Sequence, residues 1–536
     1  MQLVPGETYY KLVKDAAEKR GDDEFVYDGA RRCSFNQVHH EALKIANYLY
    51  SLGVRKNDRV LICLPNWSEF LSIYAGVSAL EAILVPCVAD IKKASLTHVL
   101  QVTQPKAAFV SFLEHIYLFG QSGYDDTLVL VRGRPRICQP PKTAEEAAAA
   151  AEEAEHLGLP VYSNIIKSQK EFLDREKLAL EAGISTIMFT SGTTGSPKAV
   201  MHSAFAHTHV GRCVGEGLHL SPDDVAFVPI SLAHIYGMSN GLVLTTANAL
   251  RVVLLERYTP ELSLDMVTGE ECTLYFGVPT MFIRERHLLA EQPERWDLSK
   301  VRAGLIGGST YPYDLLEEIE RDSGAKILPS FGMTEVTGGA TAIDLDAPDH
   351  QRWHSTGFPI HGAQIKAVDS EGNDLPACAE GEIHIRSQGI MSGYYQGGEP
   401  EPNFGPEDWF ATGDVGYIDQ EGYLFITGRI KDIIIRGSVN INPSEVESIY
   451  HTHPAVFESC LVGYPDSELG ERSCLFVVLS SSEETTASAP TLQELRDFAK
   501  GRIERNKVPD QVRIVEEIPR LSIAKVDKEA LARLCL

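Results

Sequence analysis

The feature that most constrains this chain is an alternation of two patterns along its first part. DRVLICLPN reads as a buried strand that stops at a turn, and AILVPCV reads as another. Between them SEFLSIYAGVSALEA carries helical spacing, as does FNQVHHEALKIANYLYSLG before them, which ends at Gly53. Strands that are apolar throughout cannot leave one face in water. With helices between them they demand a parallel sheet covered on both sides. The pattern recurs in KAAFVSF, TLVLV, ALRVVLLE and CTLYFGV. At 536 residues there is chain enough for two or more domains.

After about residue 360 the pattern changes. AQIKAVDSEGNDLPACAEGEIHIRS reads as short strands joined by turns, one of them at Asp369, and DVGYIDQEGYLFITGR as a hairpin. Beyond Arg429 the expected order is a strand KDIIIRG, a helix PSEVESIYHTH, strands ESCLVGYP and SCLFVVLS, a helix TLQELRDFAKGRIE and a strand QVRIVEEI. The Ala/Glu-rich stretch 143–158 reads as a solvated helix, and SSSEETTASAP as a polar loop.

Composition narrows the class. Hydrophobic and charged fractions of 44% and 23% are ordinary for a globular protein, and the net charge of −25 argues against nucleic acid or an anionic membrane as partner. The ten cysteines show no metal-type spacing and read as reduced thiols. The N-terminus has no apolar core of signal-peptide type, and the terminal LARLCL is neither a peroxisomal tripeptide nor a prenylation box, so the expected location is cytoplasmic. The uncharged run Val225–Leu250 is long enough to span a bilayer, but Pro229, Ser231, His234, Ser239, Asn240 and Asn248 fit a buried core with a ligand-facing loop better.

Within this frame lies IMFTSGTTGSPKAV, residues 187–200. It is not a Walker loop: Gly192 and Gly195 are too close, Pro197 precedes Lys198, and Ala199 stands where a magnesium-binding hydroxyl should be. Its chemistry still suits phosphate. Thr190, Ser191, Thr193, Thr194 and Ser196 offer hydroxyls, the two glycines let backbone N–H groups approach an anion, and Lys198 adds a charge. By composition alone it is equally a polar surface loop. In SFGMTE, residues 330–335, Phe331 is suited to stack on a base, Thr334 to bond a phosphate and Glu335 to hold Mg²⁺. In WFATGDVG, residues 409–416, Asp414 is expected in a glycine-bounded turn, suited to ribose hydroxyls but equally to an Asx-turn. Lys525 lies between apolar residues near the end, where a snorkelling surface lysine would also fit.

Together, TSGTTGSPK, FGMTE, TGDVG, GRIKD and a near-terminal lysine stand in the order that resembles the adenylate-forming superfamily: acyl- and aryl-CoA synthetases, adenylation domains of peptide synthetases, and luciferases. The resemblance spans nearly the whole chain and is closest to a stand-alone carboxylate–CoA ligase. It implies an α/β fold with a large N-terminal domain of layered parallel sheets plus a β-rich subdomain, residues 1–428. A small mobile α+β lid, residues 429–536, would carry the catalytic lysine. It implies that a carboxylate attacks the α-phosphate of ATP to give an acyl-adenylate and pyrophosphate, and that a thiol then displaces AMP.

Carried onto this sequence, the resemblance assigns the Thr190–Lys198 loop, with Ser191, Gly192, Thr193, Thr194 and Gly195, to the β- and γ-phosphates. Thr334 would meet the α-phosphate and Glu335 the Mg²⁺. Ser330, Phe331, Gly332 and Met333 would lie by adenine near Gly307, Gly308, Ser309 and Thr310. Asp414 would bind ribose with Arg429 beside it, and Lys525 would bridge carboxylate and α-phosphate. Lys431 would be the hinge that swaps Lys525 for the Gly437 loop at the thiol tunnel. Ala524 departs from the family's usual glycine before the lysine.

SLAHIYGMSN, residues 231–240, matches the acid-pocket segment. It lacks the aspartate that pairs with an α-amino group, and Ile235 departs from the His-Asn of catecholic-acid ligases. An aromatic or medium-sized apolar acid is therefore expected, with His234 gating the carboxylate and Tyr236 and Gly308 lining the pocket; a core-packed His and Tyr is the competing reading. The acceptor is CoA or the phosphopantetheine arm of an acyl carrier protein.

Overall fold

In the computed structural model of the chain, the residues described are 7–134, 158–171, 183–190, 197–309, 311, 314–397, 408–437, 439–479, 490–520 and 526–536. Ser191–Ser196, Thr310, Ala524 and Lys525 lie outside them, as do the Ala/Glu-rich stretch up to residue 157 and the polar loop 480–489.

The alternating part builds two seven-stranded sheets. In the first, the spatial order is Lys326–Pro329, Ala303–Ile306, Leu274–Gly277, Val225–Val228, Arg251–Leu254, Glu24–Tyr27 and Arg32–Ser34. All neighbours run parallel except the last pair, a hairpin. The second runs Gly393–Tyr394, Ala199–Ser203, Ile184–Phe189, Ile83–Cys87, Arg59–Cys63, Ala107–Phe112 and Thr127–Arg134. The strand reached by the phosphate-type loop turns back antiparallel on Ile184–Phe189, and Gly393–Tyr394 adds antiparallel to it. The expected helices stand at Phe35–Ser51 and Ser68–Ala79, and one large apolar core joins them to both sheets. Ser34 and Gln37 close a capping box at the first of these helices. Every residue of the second is buried, which explains why that stretch reads as apolar all round.

The β-rich subdomain is a four-stranded antiparallel sheet, Ala363–Val368, Gly381–Ser387, Phe410–Ile418 and Leu424–Arg429. The last portion is an α+β unit with its own core. Helix Pro443–His451 and strands Ile434–Arg436, Val439–Ile441, Val456–Asp466, Gly470–Leu479 and Gln511–Ile514 supply it. Two expectations there need correction. KDIIIRG is a strand only from Ile434, because Ile430–Asp432 forms a 3₁₀ turn. TLQELRDFAKGRIE is helical only over Leu492–Phe498, and the chain turns at Gly501 with φ +77.

Among the described residues no helix is long and apolar enough to cross a membrane. The uncharged run instead divides into the strand Val225–Val228, a π-helical stretch Tyr236–Val243 and a helix Leu244–Ala247. The described cysteines are free thiols, most of them buried.

Candidate active site

Ligands of parallel αβ sheets gather where strands end at their carboxyl edge. Here adjacent strands deliver the expected segments to that edge. Ala303–Ile306 runs into Gly307, Gly308 and Ser309, and Lys326–Pro329 runs into Ser330 and Phe331. The two are tied by Ser330 N–H to Ile306 O at 3.2 Å. Gly308 has φ +94, so the turn there needs glycine, and both Gly308 and Ser309 are exposed.

The segment from Ser330 is locked by folding back on itself. Phe331 N–H donates to Thr341 Oγ1 at 2.9 Å, and its carbonyl accepts from Ala340 at 2.8 Å. Gly338 N–H reaches Met333 O at 3.0 Å. A Cβ on Gly332 would lie 2.3 Å from Gly338 O, so the fold-back excludes any side chain there. Phe331 and Met333 are half-buried against the β-rich subdomain, and Thr334–Val336 forms a 3₁₀ turn. Thr334 stays partly accessible, while Glu335 is 9% exposed.

The phosphate-type hairpin closes with Thr190 N–H on Lys198 O at 3.0 Å. Its far side is held by His98, which bonds Pro197 O at 3.0 Å and sets its ring edge-on to Phe189. Lys198 is exposed, with Nζ 4.8 Å from the centre of the Tyr394 ring. The hydroxyl of Tyr394 donates to Glu335 Oε1 at 3.1 Å. Tyr394 therefore touches both the loop lysine and the expected metal carboxylate. Sequence reasoning missed it; its only signal is a plain Gly-Tyr-Tyr.

The acid-pocket segment is built against the same fold-back. Asn240 donates to Gly338 O at 2.9 Å, and a Cβ on Gly237 would lie 2.2 Å from Ser231 O. His207 bonds both Ser239 Oγ at 2.7 Å and Thr186 Oγ1 at 2.8 Å. A π-helix is uncommon and is found mostly at functional sites; here it widens the turn that carries Tyr236. The Tyr236 hydroxyl is engaged, donating to Leu305 O at 2.8 Å and Gly277 O at 3.3 Å. Its ring lies under Gly307, 3.8 Å from where a Cβ would stand, and burial pushes its phenol pKa up. His234 keeps an accessible ring. The protein packed around that ring penalises the charged form and lowers its pKa, against the raising pull of Asp90.

Asp414 corrects an expectation. It lies not in a turn but within the strand Phe410–Ile418, where its register partner is Arg429. Gly413, with φ +72, is a kink inside that strand and donates its N–H to Glu382 Oε1 at 3.2 Å. Arg429 Nε donates to Asp414 Oδ1 at 2.5 Å. Asp414 is 4% exposed, and burial raises its pKa although Arg429 opposes the shift.

Lys431 sits in the 3₁₀ turn between hairpin and α+β unit. Burial lowers its pKa, helped by Arg429. Just before it, a Cβ on Gly428 would lie 2.6 Å from the amide of Asn442, which caps helix Pro443–His451 and donates to Thr427 O at 2.7 Å. Just after it, Asp432 takes Lys528 Nζ at 2.9 Å. Gly437 has φ +66 and donates to Leu469 O at 2.7 Å.

The chain is similar to known proteins over most of its length. The profile described as AMP-binding enzyme matches residues 13–395, and that described as AMP-binding enzyme C-terminal domain matches residues 445–525. The chain is 31% identical over 513 residues to a medium-chain fatty-acid–CoA ligase of Escherichia coli strain K12, covering 93% of this chain and 85% of that protein. It is 28% identical to the mitochondrial medium-chain acyl-CoA ligase ACSF2 of Bos taurus over 541 residues, 96% and 85% of the two chains. Its fold superposes on a crystal structure of the anthranilate CoA ligase AuaEII in complex with anthranoyl-AMP, with TM-score 0.86, 22% identity, and 100% and 99% coverage. A benzoate CoA ligase from Burkholderia xenovorans LB400 gives TM-score 0.82, 20% identity, and 98% and 100% coverage.

Proposed function

The chain belongs to the AMP-binding enzyme family, the adenylate-forming ligases, and from that premise we propose that it activates an aryl or medium-length apolar carboxylic acid with ATP and passes the acyl group to CoA. The products are acyl-CoA, AMP and pyrophosphate. The observation that carries this reading is the meeting, at the carboxyl edge of adjacent strands, of the Gly307–Ser309 turn, the Ser330–Glu335 segment and the π-helical stretch that begins at Tyr236.

In the first half-reaction an acid oxygen attacks the α-phosphorus and pyrophosphate leaves. Two anions have to meet, so the site must supply positive charge and donors. Lys198 and the loop after Thr190 take the outgoing phosphates. Thr334 offers its hydroxyl to the α-phosphate, and Phe331 supports the base. Asp414, held by Arg429, accepts from the ribose hydroxyls. Lys525 adds charge at the reacting oxygens. Glu335 fits Mg²⁺: it is a nearly buried carboxylate whose one side-chain hydrogen bond among the described residues falls on Oε1. A magnesium ion there supplies charge neutralisation for the phosphate oxygens.

Burial lowers the His234 pKa and so favours the neutral ring, which orients the acid by hydrogen bonding rather than by an ion pair. Residues 231–240 carry no aspartate to pair with an amino group, and the two medium-chain relatives support an apolar acid. In the second half-reaction the domain 429–536 turns at Lys431 and brings the Gly437 loop to the thiol, which attacks the acyl carbon and displaces AMP. Free buried thiols suit a reducing compartment such as the cytoplasm. A carrier-protein thiol is the alternative acceptor.

The test is incubation with ATP, Mg²⁺ and a panel of aryl, alicyclic and fatty acids, with and without CoA, read by mass spectrometry. Acyl-CoA with AMP is expected. Acyl-adenylate that accumulates despite CoA would move the acceptor to a carrier protein, and no adenylate from any acid would overturn the activity.

A further inference from the structure

We propose that Tyr394 is a positioning residue that keeps the phosphate-loop cation and the metal-binding carboxylate apart and aimed at separate ligands. The inference rests on the reading above, in which Lys198 serves the phosphates and Glu335 serves the metal. A lysine and a carboxylate facing one cleft tend to pair, and such a pair must be broken before either can serve a nucleotide. Among the described residues no ion pair joins Lys198 to Glu335. Each instead meets Tyr394, one on the ring face and the other at the hydroxyl. A cation on a π face is held without its charge being cancelled, so it remains available to an anion. A hydroxyl on Oε1 fixes the rotation of the carboxylate and leaves Oε2 for a cation.

The backbone makes this placement rigid. Tyr394 is register-paired with Val200, two residues after Lys198, and Gly393 with Met201. Tyr395 N–H holds Ala199 O at 2.8 Å, and Ser392 N–H holds Met201 O at 2.8 Å. On the other side Met391 N–H donates to Glu335 O at 2.8 Å. One short segment, 391–395, thus grips the start of the strand after the loop and the residue that would hold the metal. Met391 is 1% exposed and packs with Val200 and Phe410, which anchors the segment from below. Its two functions separate chemically: the hydroxyl serves Glu335 and the ring serves Lys198.

Tyr394→Phe removes only the first function, and Tyr394→Leu removes both. The full chain is titrated with Mn²⁺ in the presence of α,β-methylene-ATP, with free Mn²⁺ read by electron paramagnetic resonance. The Mg²⁺ dependence of acid-dependent pyrophosphate exchange is measured in parallel. For Tyr394→Phe we expect Mn²⁺ affinity and the Mg²⁺ requirement to weaken about ten-fold, with the nucleotide KM at saturating metal unchanged. Tyr394→Leu should add a several-fold rise in that KM. A Phe variant with wild-type metal affinity overturns the proposal, and so do Phe and Leu variants that cannot be told apart. Wild-type protein that binds Mn²⁺ and the analogue but adenylates no acid would sink the activity while leaving this inference standing.

Discussion

Tyr236→Phe asks whether this tyrosine is a wall of the acyl pocket or a brace beneath it. The hydroxyl donates to Leu305 O at 2.8 Å and to Gly277 O at 3.3 Å, carbonyls of neighbouring parallel strands that pair Phe276 with Leu305. Leu305 is 2% exposed, so its carbonyl has little recourse to water. Removing the donor costs one good hydrogen bond and part of a second, about 1–2 kcal/mol. In a body of several hundred residues, whose unfolding entropy is about 2 cal/mol/K per residue, that lowers Tm by only about 1 °C per kcal/mol. The ring stays, and with it the support under Gly307. The expected result is therefore a melting shift of about 1–2 °C by calorimetry, with kcat for the preferred acid within about two-fold of wild type. The brace would be refuted by an unshifted Tm together with a ten-fold loss in kcat/KM, the signature of a hydroxyl that touches substrate.

Four further expectations follow from the same geometry. Arg429→Gln leaves the buried Asp414 carboxylate without its guanidinium, so its already raised pKa rises further. The acid limb of the pH–kcat/KM profile for ATP should move to higher pH. The sign for stability agrees: a carboxylate whose pKa rises on folding costs stability as pH increases from the free-aspartate range through the raised value, and the variant should lose more to base. Gly332→Ala places a Cβ 2.3 Å from a backbone carbonyl that cannot swing away, so about 1–3 kcal/mol of stability and most adenylation should go together, read by thermal melts and pyrophosphate exchange. Lys525→Ala should slow adenylation by about 10²–10³-fold while ATP still binds, and full adenylate formation by that variant would remove the assignment. Lys431→Pro should slow thioester formation more than adenylation, and an equal loss in both would remove the hinge.

The parallel sheets were legible because burial on both faces leaves a mark in each strand by itself, as in Arg59–Cys63 and Ile83–Cys87. The misreadings have one cause: distant pairing overruled a local signal. Gly413 looks like a turn residue, and its positive φ is real, but pairing with Arg429 keeps Asp414 in a strand. Tyr236–Val243 has no π-helical signature of its own. What holds it is Gly237 against Ser231 and Asn240 on Gly338, the second nearly a hundred residues away in sequence. The C-terminal helix Leu492–Phe498 is the exception: it stops early for a local reason, a left-handed glycine at Gly501.

The same cause explains why a sequence can name ligand-touching residues and yet miss what aims them. A residue proposed to meet a phosphate or its metal must carry a donor or a charge, and that requirement shows at Thr190, Lys198, Thr334 and Glu335 whatever surrounds them. A residue that aims another needs only the right place. Tyr394 would be an ordinary tyrosine anywhere else; antiparallel pairing with Val200 puts its ring by one cation and its hydroxyl on one carboxylate. Gly332, Asn240 and Gly428 are of the same kind, each defined by a neighbour that only the fold supplies. Substituting Tyr394, Asn240 or Gly428 should shift metal dependence, melting temperature or the balance of the two half-reactions, whereas substituting Lys198 or Glu335 should remove the reaction itself. The two groups are therefore separable at the bench by which quantity moves.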